Sequence, residues 1–419
     1  VLNNVERYVS GERMAERIAR LAEIGGLPNG GMNRLPFTPE YRQARELFMR
    51  WLSDLGLAVR MDGAGNIIGR REGSDPTAPV VMSGSHLDTQ PTGGRFDGIA
   101  GVIAALEAAE AMREAGLAHR HPIEFVEWTA EESSCRFDLS MPGSRAMIGA
   151  LSEQDLELRC RLTGVTLRAA MESIGIDLSQ LPAAERPPGS IKAVLELHIE
   201  QGPYLEANGK QVGVVTAVAG SVRYHCVLRG QQAHSGALPM AYRRDALCGA
   251  AEVLLAVEQA AKARTDPPVV GTVGYLDYDP RSVVIIPGRV QMIIDVRSID
   301  TAARDAVRDE IEAAARQIAA RRKLDLEWRL AWTFPPTQLD PEIIKTLTQA
   351  CEELRVPYQR IASGAGHDAM TLGRRFPAGM LFVPSVGGIS HAPEEFTRIE
   401  DLEAGAKVLC RSLCALAAG

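Results

Sequence analysis

Apolar residues recur at helical spacing over residues 4–22 and 39–55, and then the period shortens. Ala58 to Met61 and Asn66 to Gly69 read as two short strands, with Gly63-Ala64-Gly65 turning between them. Pro79 to Gly84 is a compact apolar run ending in small residues, the pattern of a buried strand. Gly98 to Glu114, rich in Ala and Leu, predicts a helix, and Pro122 to Thr129 predicts another strand. Ile191 to Leu197 continues the series. Strand and helix alternate, so the expected fold is α/β: a mixed, largely parallel sheet covered by helices.

The texture changes near residue 219. Ser221 to Arg229 alternates polar and apolar, as a half-exposed strand does. A helix over Ala241–Ala263 follows, then strands near Val269–Tyr275 and Val290–Val296, a helix over Thr301–Arg322 and a strand at Leu326–Ala331. Strand-helix-strand-strand-helix-strand predicts an inserted ferredoxin-like α+β domain, one sheet with two helices on a single face. Pro335-Pro336 closes it like a hinge, and helix-strand alternation returns afterwards. The expected organisation is a catalytic domain of residues 1–219 and 336–419, with residues 220–335 inserted. No internal repeat or low-complexity tract interrupts this reading.

Composition narrows the class. The 419 residues suffice for two domains, and 46% hydrophobic residues suit a globular chain. A net charge of −7 offers no nucleic-acid groove and no attraction to an anionic membrane surface. No apolar run approaches the ~18–20 residues that span a bilayer. The polar opening Val1-Leu2-Asn3-Asn4-Val5-Glu6-Arg7 lacks the apolar core of a signal peptide and has no initiator Met, so a trimmed N-terminus is expected. The 7 cysteines are scattered without a Cys-x-x-Cys pair, which reads as reduced thiols of a cytoplasmic protein.

The candidate chemistry lies where the first-domain strands end, which is where such sheets gather their sites. His86 and Asp88 follow one strand, Glu131 and Glu132 another, and His198 ends a third. Imidazole with carboxylate suits a divalent transition metal, zinc above all. His86 alone also reads as a polar residue at a strand end, and Glu131-Glu132 alone as a solvated acidic loop. Together they read differently. Adjacent carboxylates that lose solvent need compensation, and a metal supplies it for one while the other stays available as a base. His391, beside Ser390, adds an imidazole. Thr92-Gly93-Gly94 can turn Asp97 back towards His86. His119 and His121 read as surface residues, and His225 as packing.

The run Gly84-Ser85-His86-Leu87-Asp88-Thr89-Gln90-Pro91-Thr92-Gly93-Gly94-Arg95-Phe96-Asp97-Gly98 resembles the signature of the amidase, hydantoinase/carbamoylase family, within the zinc aminoacylase/carboxypeptidase superfamily. The likeness continues, in order, at Glu127 to Glu132, Glu196 to Pro203, Ala233 to Met240, Gly364 to Ala369 and Val383 to His391. It implies two divalent metal ions per subunit: zinc first, with manganese, cobalt or nickel as other choices. His86, His198 and Asp97 would bind one ion, Glu132 and His391 the other, and Asp97 would bridge. Glu131 would be the general base and acid, and Asp88 would support His86. Gln201 would contact substrate, His234 would stabilise the oxyanion, and Arg297 would pair with the substrate carboxylate. Arg223 is a further candidate for that pocket; either arginine also reads as a surface salt bridge.

The resemblance further implies a homodimer with a lid, and hydrolysis of the linear amide of an N-carbamoyl amino acid. Asp88-Thr89-Gln90-Pro91 is closer to carbamoyl-amino-acid and ureidopropionate hydrolases than to allantoate enzymes. Allantoate hydrolysis, an aminoacylase or dipeptidase activity, or a non-catalytic metal-binding protein are the alternatives. Two departures bear on substrate choice. Val284 stands where the family usually has a substrate-contacting Asn, and the spacing from Glu132 to Arg136-Phe137 is one residue longer than usual.

Overall fold

A computed structural model describes residues 4–418; Val1 to Asn3, part of the polar opening stretch, and Gly419 lie outside the described residues. The chain divides into two compact units. One comprises the residues up to Thr216, Gln338–Ser363 and the residues from His367 onward. The other is Ala217–Thr337, joined by the short piece Gly364–Gly366 from the Gly-Ala-Gly-His-Asp motif.

The strands are β1 (Ala58–Met61), β2 (Ile67–Arg71), β3 (Val80–Ser85), β4 (Ile123–Glu127), β5 (Ile191–Ile199), β6 (Val212–Val218), β7 (Gly220–Arg229), β8 (Val270–Asp279), β9 (Arg289–Ser298), β10 (Asp325–Phe334), β11 (Tyr358–Ser363) and β12 (Ala378–Val383). In the first unit the sheet runs β1-β2-β4-β3-β5-β12-β6, with β11 beside β6. Its centre, β4-β3-β5-β12, is parallel, and the flanking β1, β2 and β6 pair antiparallel. The parallel strands are mostly apolar because both faces are covered: every residue of β3, β4 and β12 is buried, Glu124 and Glu127 of β4 included.

The helix Ile99–Glu114 packs on β3, β4 and β5 and is buried from Ile99 to Met112. Its two buried carboxylates, Glu107 and Glu110, are tolerated because Arg13 and Arg17 pair with them. Those arginines belong to the helix Gly11–Ala22, which begins at Ser10, whose hydroxyl accepts from the Arg13 amide at 3.2 Å. The cap separates this helix from a short 3-10 turn, Val5–Tyr8, so the apolar spacing over 4–22 is two elements and not one.

The second unit is a four-stranded antiparallel sheet, β10-β7-β9-β8, with helices Ala246–Lys262 and Thr301–Arg322. Residues alternate between buried and half-buried along β9. Val290, Met292, Ile294 and Val296 face a core completed by Val253 and Val257 of one helix and Val307 and Ile311 of the other. The first of these helices starts five residues later than its apolar spacing predicts, because the Asp245 carboxylate caps the amides of Leu247 and Cys248.

His119 and His121 are buried, contrary to the surface placement expected for a polar loop. The end of the helix Ile399–Ala418 covers that loop. Ala417 O accepts from the Arg120 and His121 amides, and Leu416 O accepts from Lys192 Nζ, which lies 3.1 Å from His121 Nε2. The cysteines are all free. Among the described residues no helix is long and apolar enough to cross a membrane.

Candidate metal centre

Four adjacent parallel strands end at one edge of the sheet, and the chemistry-bearing residues follow from those ends. His86 is the first residue after β3, and His198 lies on β5 one residue before its end. Glu131 and Glu132 open a 3-10 turn, Glu131–Cys135, after β4. His391 follows β12 beyond the turn Val386–Gly388. Register brings these ends level, since Ser85 pairs with Glu127 and Phe382 with His198. Asp97 returns in the loop before the helix Ile99–Glu114. There Gly98 adopts φ +70°, and a Cβ on it would lie 2.4 Å from the His86 ring, so only glycine lets the two ligands approach.

Two ligand groups result. His86, Asp97 and His198 form one, and Asp97, Glu132 and His391 the other; within each group the candidate ligand atoms lie within 4.8 Å of one another. Asp97 divides its oxygens between them. Oδ1 lies 3.1 Å from His198 Nε2 and 3.8 Å from His86 Nε2, while Oδ2 lies 2.8 Å from His391 Nε2. Glu132 Oε1 is 3.1 Å from the same His391 nitrogen.

The ring nitrogens test whether a cation fits. His86 Nδ1 faces the main-chain oxygen of Asp88 at 3.0 Å, and His198 Nδ1 faces Ile199 O at 2.9 Å. A carbonyl oxygen only accepts, so Nδ1 carries a proton in both rings and Nε2 is turned towards a carboxylate that also only accepts. Such an encounter is favourable only with a positive charge between the two atoms. The protonation equilibria carry the same demand. Burial opposes a charged His86, yet Asp88, Glu131 and Asp97 raise it well above the ordinary imidazole value. Desolvation likewise opposes His391, while Asp97 and Glu132 carry it up to about 11. With Asp88, Asp97, Glu131 and Glu132 converging on three imidazoles, the donor set suits divalent metal ions.

Asp88 acts in two ways. Its main-chain oxygen orients His86, and its carboxylate, 3.6 Å from His86 Nδ1, accepts from the Glu132 amide at 2.8 Å. Glu131 is buried. Burial, and then the neighbouring Glu132 carboxylate, push its carboxyl well above the usual range against the pull of His86. The loop that carries it is held from behind: Ala130, at φ 58°, donates its amide to Tyr41 Oη at 2.9 Å, and Tyr41 in turn donates to buried Glu127.

Gln201 lies on the ligands, with Nε2 3.1 Å from Asp97 Oδ2 and 3.2 Å from His391 Nε2; its Oε1 is buried without a hydrogen-bond partner among the described residues. His367 packs edge-on against His198 with ring centroids 4.5 Å apart. Gln90, from the run Asp88-Thr89-Gln90-Pro91, and Glu395, which the sequence does not single out, also meet the ligands. Gln90 Nε2 donates to Glu132 Oε2, and the Glu395 carboxylate accepts from the amides of Asp97 and His391.

The remaining candidates lie in the second unit. His234 pairs with Ile285 in a two-stranded ribbon. Its Nδ1 accepts from the amides of Gly236 at 3.0 Å and Ala237 at 3.2 Å, which leaves the neutral ring with its proton on Nε2. Val284 is exposed beside it, and its oxygen accepts from the Ser235 amide. Arg297 forms a fork with Asp295 through Nε at 3.2 Å and Nη2 at 3.0 Å, and Arg223 Nε donates to the same carboxylate at 2.8 Å. Arg223 also lies over the Trp332 ring. Two guanidinium groups therefore share one carboxylate, which leaves the cluster one positive charge in excess. His225, placed as packing, lies half-buried in mid-strand on β7.

Comparisons with known proteins agree on one family. Residues 82–415 match peptidase family M20/M25/M40. An N-carbamoyl-L-amino acid amidohydrolase of Geobacillus stearothermophilus is 41% identical over 411 residues, covering 98% of this chain and 100% of that relative. An allantoate amidohydrolase of Escherichia coli strain K12 is 36% identical, with 97% and 98% covered. A crystal structure of a hydantoinase/carbamoylase family amidase from Burkholderia multivorans superposes with a TM-score of 0.87 at 37% identity, covering 98% of this chain and 99% of that one.

Proposed function

This chain belongs to peptidase family M20/M25/M40, and from that premise we propose that it is a two-metal amidohydrolase of N-carbamoyl amino acids. It releases the amino acid, carbon dioxide and ammonia. The observation that carries this reading is the division of Asp97 between two ligand groups, each completed by imidazole. The 41% identical relative supports the substrate class. Zinc is the expected ion, with manganese, cobalt and nickel as substitutes in the same donor set.

Divalent ions bound at the two groups would polarise the carbamoyl carbonyl and ease ionisation of water, whose pKa a metal can lower from ~15.7 to about 7. Glu131 takes the proton of the attacking water and delivers it to the leaving nitrogen. As the carbamoyl carbon gains the water oxygen, its bond to the amino-acid nitrogen breaks and carbamate is left, which decays to carbon dioxide and ammonia. Gln201 Oε1 accepts a substrate N–H. His234, with its proton on Nε2, donates to the developing oxyanion, a contribution worth roughly 3–4 kcal/mol at sites of this kind. Arg297 pairs with the substrate carboxylate, and Arg223 adds positive charge to that pocket.

The second unit serves as lid and dimerisation surface. Its exposed Leu254, Leu255, Val270, Tyr275 and Leu276 support self-association, which analytical ultracentrifugation tests. The expected compartment is the cytoplasm. Allantoate is the second substrate to weigh, because of the 36% identical relative. An ammonia-release panel of N-carbamoyl-L- and D-amino acids, N-carbamoyl-β-alanine and allantoate, beside N-acetyl amino acids and dipeptides followed by amine release, decides among them. Turnover of N-carbamoyl amino acids is expected to dominate after metal loading; turnover only of acyl or peptidyl substrates overturns the reading.

A further inference from the structure

We infer that Glu395 is a positioning residue that sets the affinity of the second ligand group, Asp97-Glu132-His391, more strongly than that of the first, with which it shares only Asp97. This rests on the two-metal reading above. Glu395 is 3% exposed, and its carboxylate is fully engaged by donors from the remote Phe96-Asp97 segment and from nearby Ser390-His391. Oε1 accepts from the amides of Phe96 at 2.9 Å and Asp97 at 3.0 Å. Oε2 accepts from the Ser390 hydroxyl at 2.9 Å and the His391 amide at 3.2 Å. One side chain therefore fixes the main chain of the bridging ligand and of the exposed ligand, which lie almost 300 positions apart in sequence.

The two groups differ in their need for such a clamp. The rings of His86 and His198 are each oriented by a carbonyl of their own segment. His391 sits at φ 55°, a left-handed conformation that disfavours a residue with a Cβ, so its backbone relies on outside hydrogen bonds. The chain also keeps space for the clamp: a Cβ on Gly94 would lie 2.1 Å from Glu395 Oε1. An amide in place of the carboxylate presents an NH2 to N–H and O–H donors and so loses hydrogen bonds on one side.

The test is zinc titration of the chelator-stripped full-length protein by competition with a chromophoric chelator, with bound zinc counted by mass spectrometry. The wild type is expected to take two ions. Glu395→Gln is expected to bind the second ion roughly 10–100-fold more weakly, the range for loss of a group that orients a ligand, and to weaken the first by a smaller factor. Ser390→Ala, which removes one of the four donors, is expected to weaken the second ion only, by a smaller factor. A wild type with two ions and a Glu395→Gln variant with the same two affinities overturns the clamp alone. Equal weakening of both ions also overturns it, since that is general structural damage. If Glu395→Gln does not fold, an unchanged second affinity in Ser390→Ala overturns the clamp. A wild type that binds a single ion overturns the two-metal reading, and the clamp with it.

Discussion

The two ligand groups share Asp97 and differ in almost everything else. His86 and His198 are buried and sit at strand ends, with their rings set by neighbouring carbonyls. His391 is 46% exposed at the side chain and lies on a loop, with a strained backbone held through Glu395. The first group is part of the core and the second is assembled on top of it. The difference teaches that a site with two similar-looking ion positions need not have two similar affinities: rigidity follows from which elements carry the ligands.

The largest expected effect leaves both groups intact. Glu131→Gln should lower kcat by roughly 10²–10⁴-fold, the usual worth of a general acid-base group, with bound metal equal to wild type. Steady-state kinetics alongside metal analysis reads this, and normal turnover would sink the role of Glu131.

A paired replacement then separates the groups. His198→Ala should remove the first ion and destabilise the metal-free protein by about 3 kcal/mol in urea denaturation, because it strips a partner from buried Asp97. His391→Ala should cost less than ~1 kcal/mol in the same measurement and lose only the second ion, as an exposed partner does. Equal losses in the two variants would erase the contrast.

Gly98→Ala should cost roughly 1–3 kcal/mol in the same denaturation, between the two histidine variants, from a positive φ and a Cβ driven against the His86 ring. It should weaken the first ion more than the second in the zinc titration. A variant with unchanged first-ion affinity would mean that the ring has room to move.

Much of this was legible in the chain. The compact apolar run at Pro79–Gly84 marks a strand buried on both faces, Pro122–Thr129 reads as a strand despite Glu124 and Glu127, and the residues after both fall at the sheet edge where ligands collect. Glu131-Glu132 stands out because two adjacent carboxylates after an apolar strand need a reason. Glu395 does not stand out: in Pro393-Glu394-Glu395 it looks like a solvated acid, and two of its four donors, the Phe96 and Asp97 amides, come from a remote part of the chain. His119 and His121 were misread for the same reason, since the helix that covers them is the last of the chain.

By itself the sequence determined the α/β alternation, the inserted strand-helix pattern, the inventory of imidazoles and carboxylates, and the family. Each of these depends on local period or on residue identity at fixed spacing. Tertiary structure alone decided how Asp97 divides its oxygens, which ring nitrogens face it, and that Arg297 and Arg223 share Asp295. Those outcomes depend on angles and on distances of a few ångströms between segments remote in the chain, set by the sheet register and by buried hydrogen bonds.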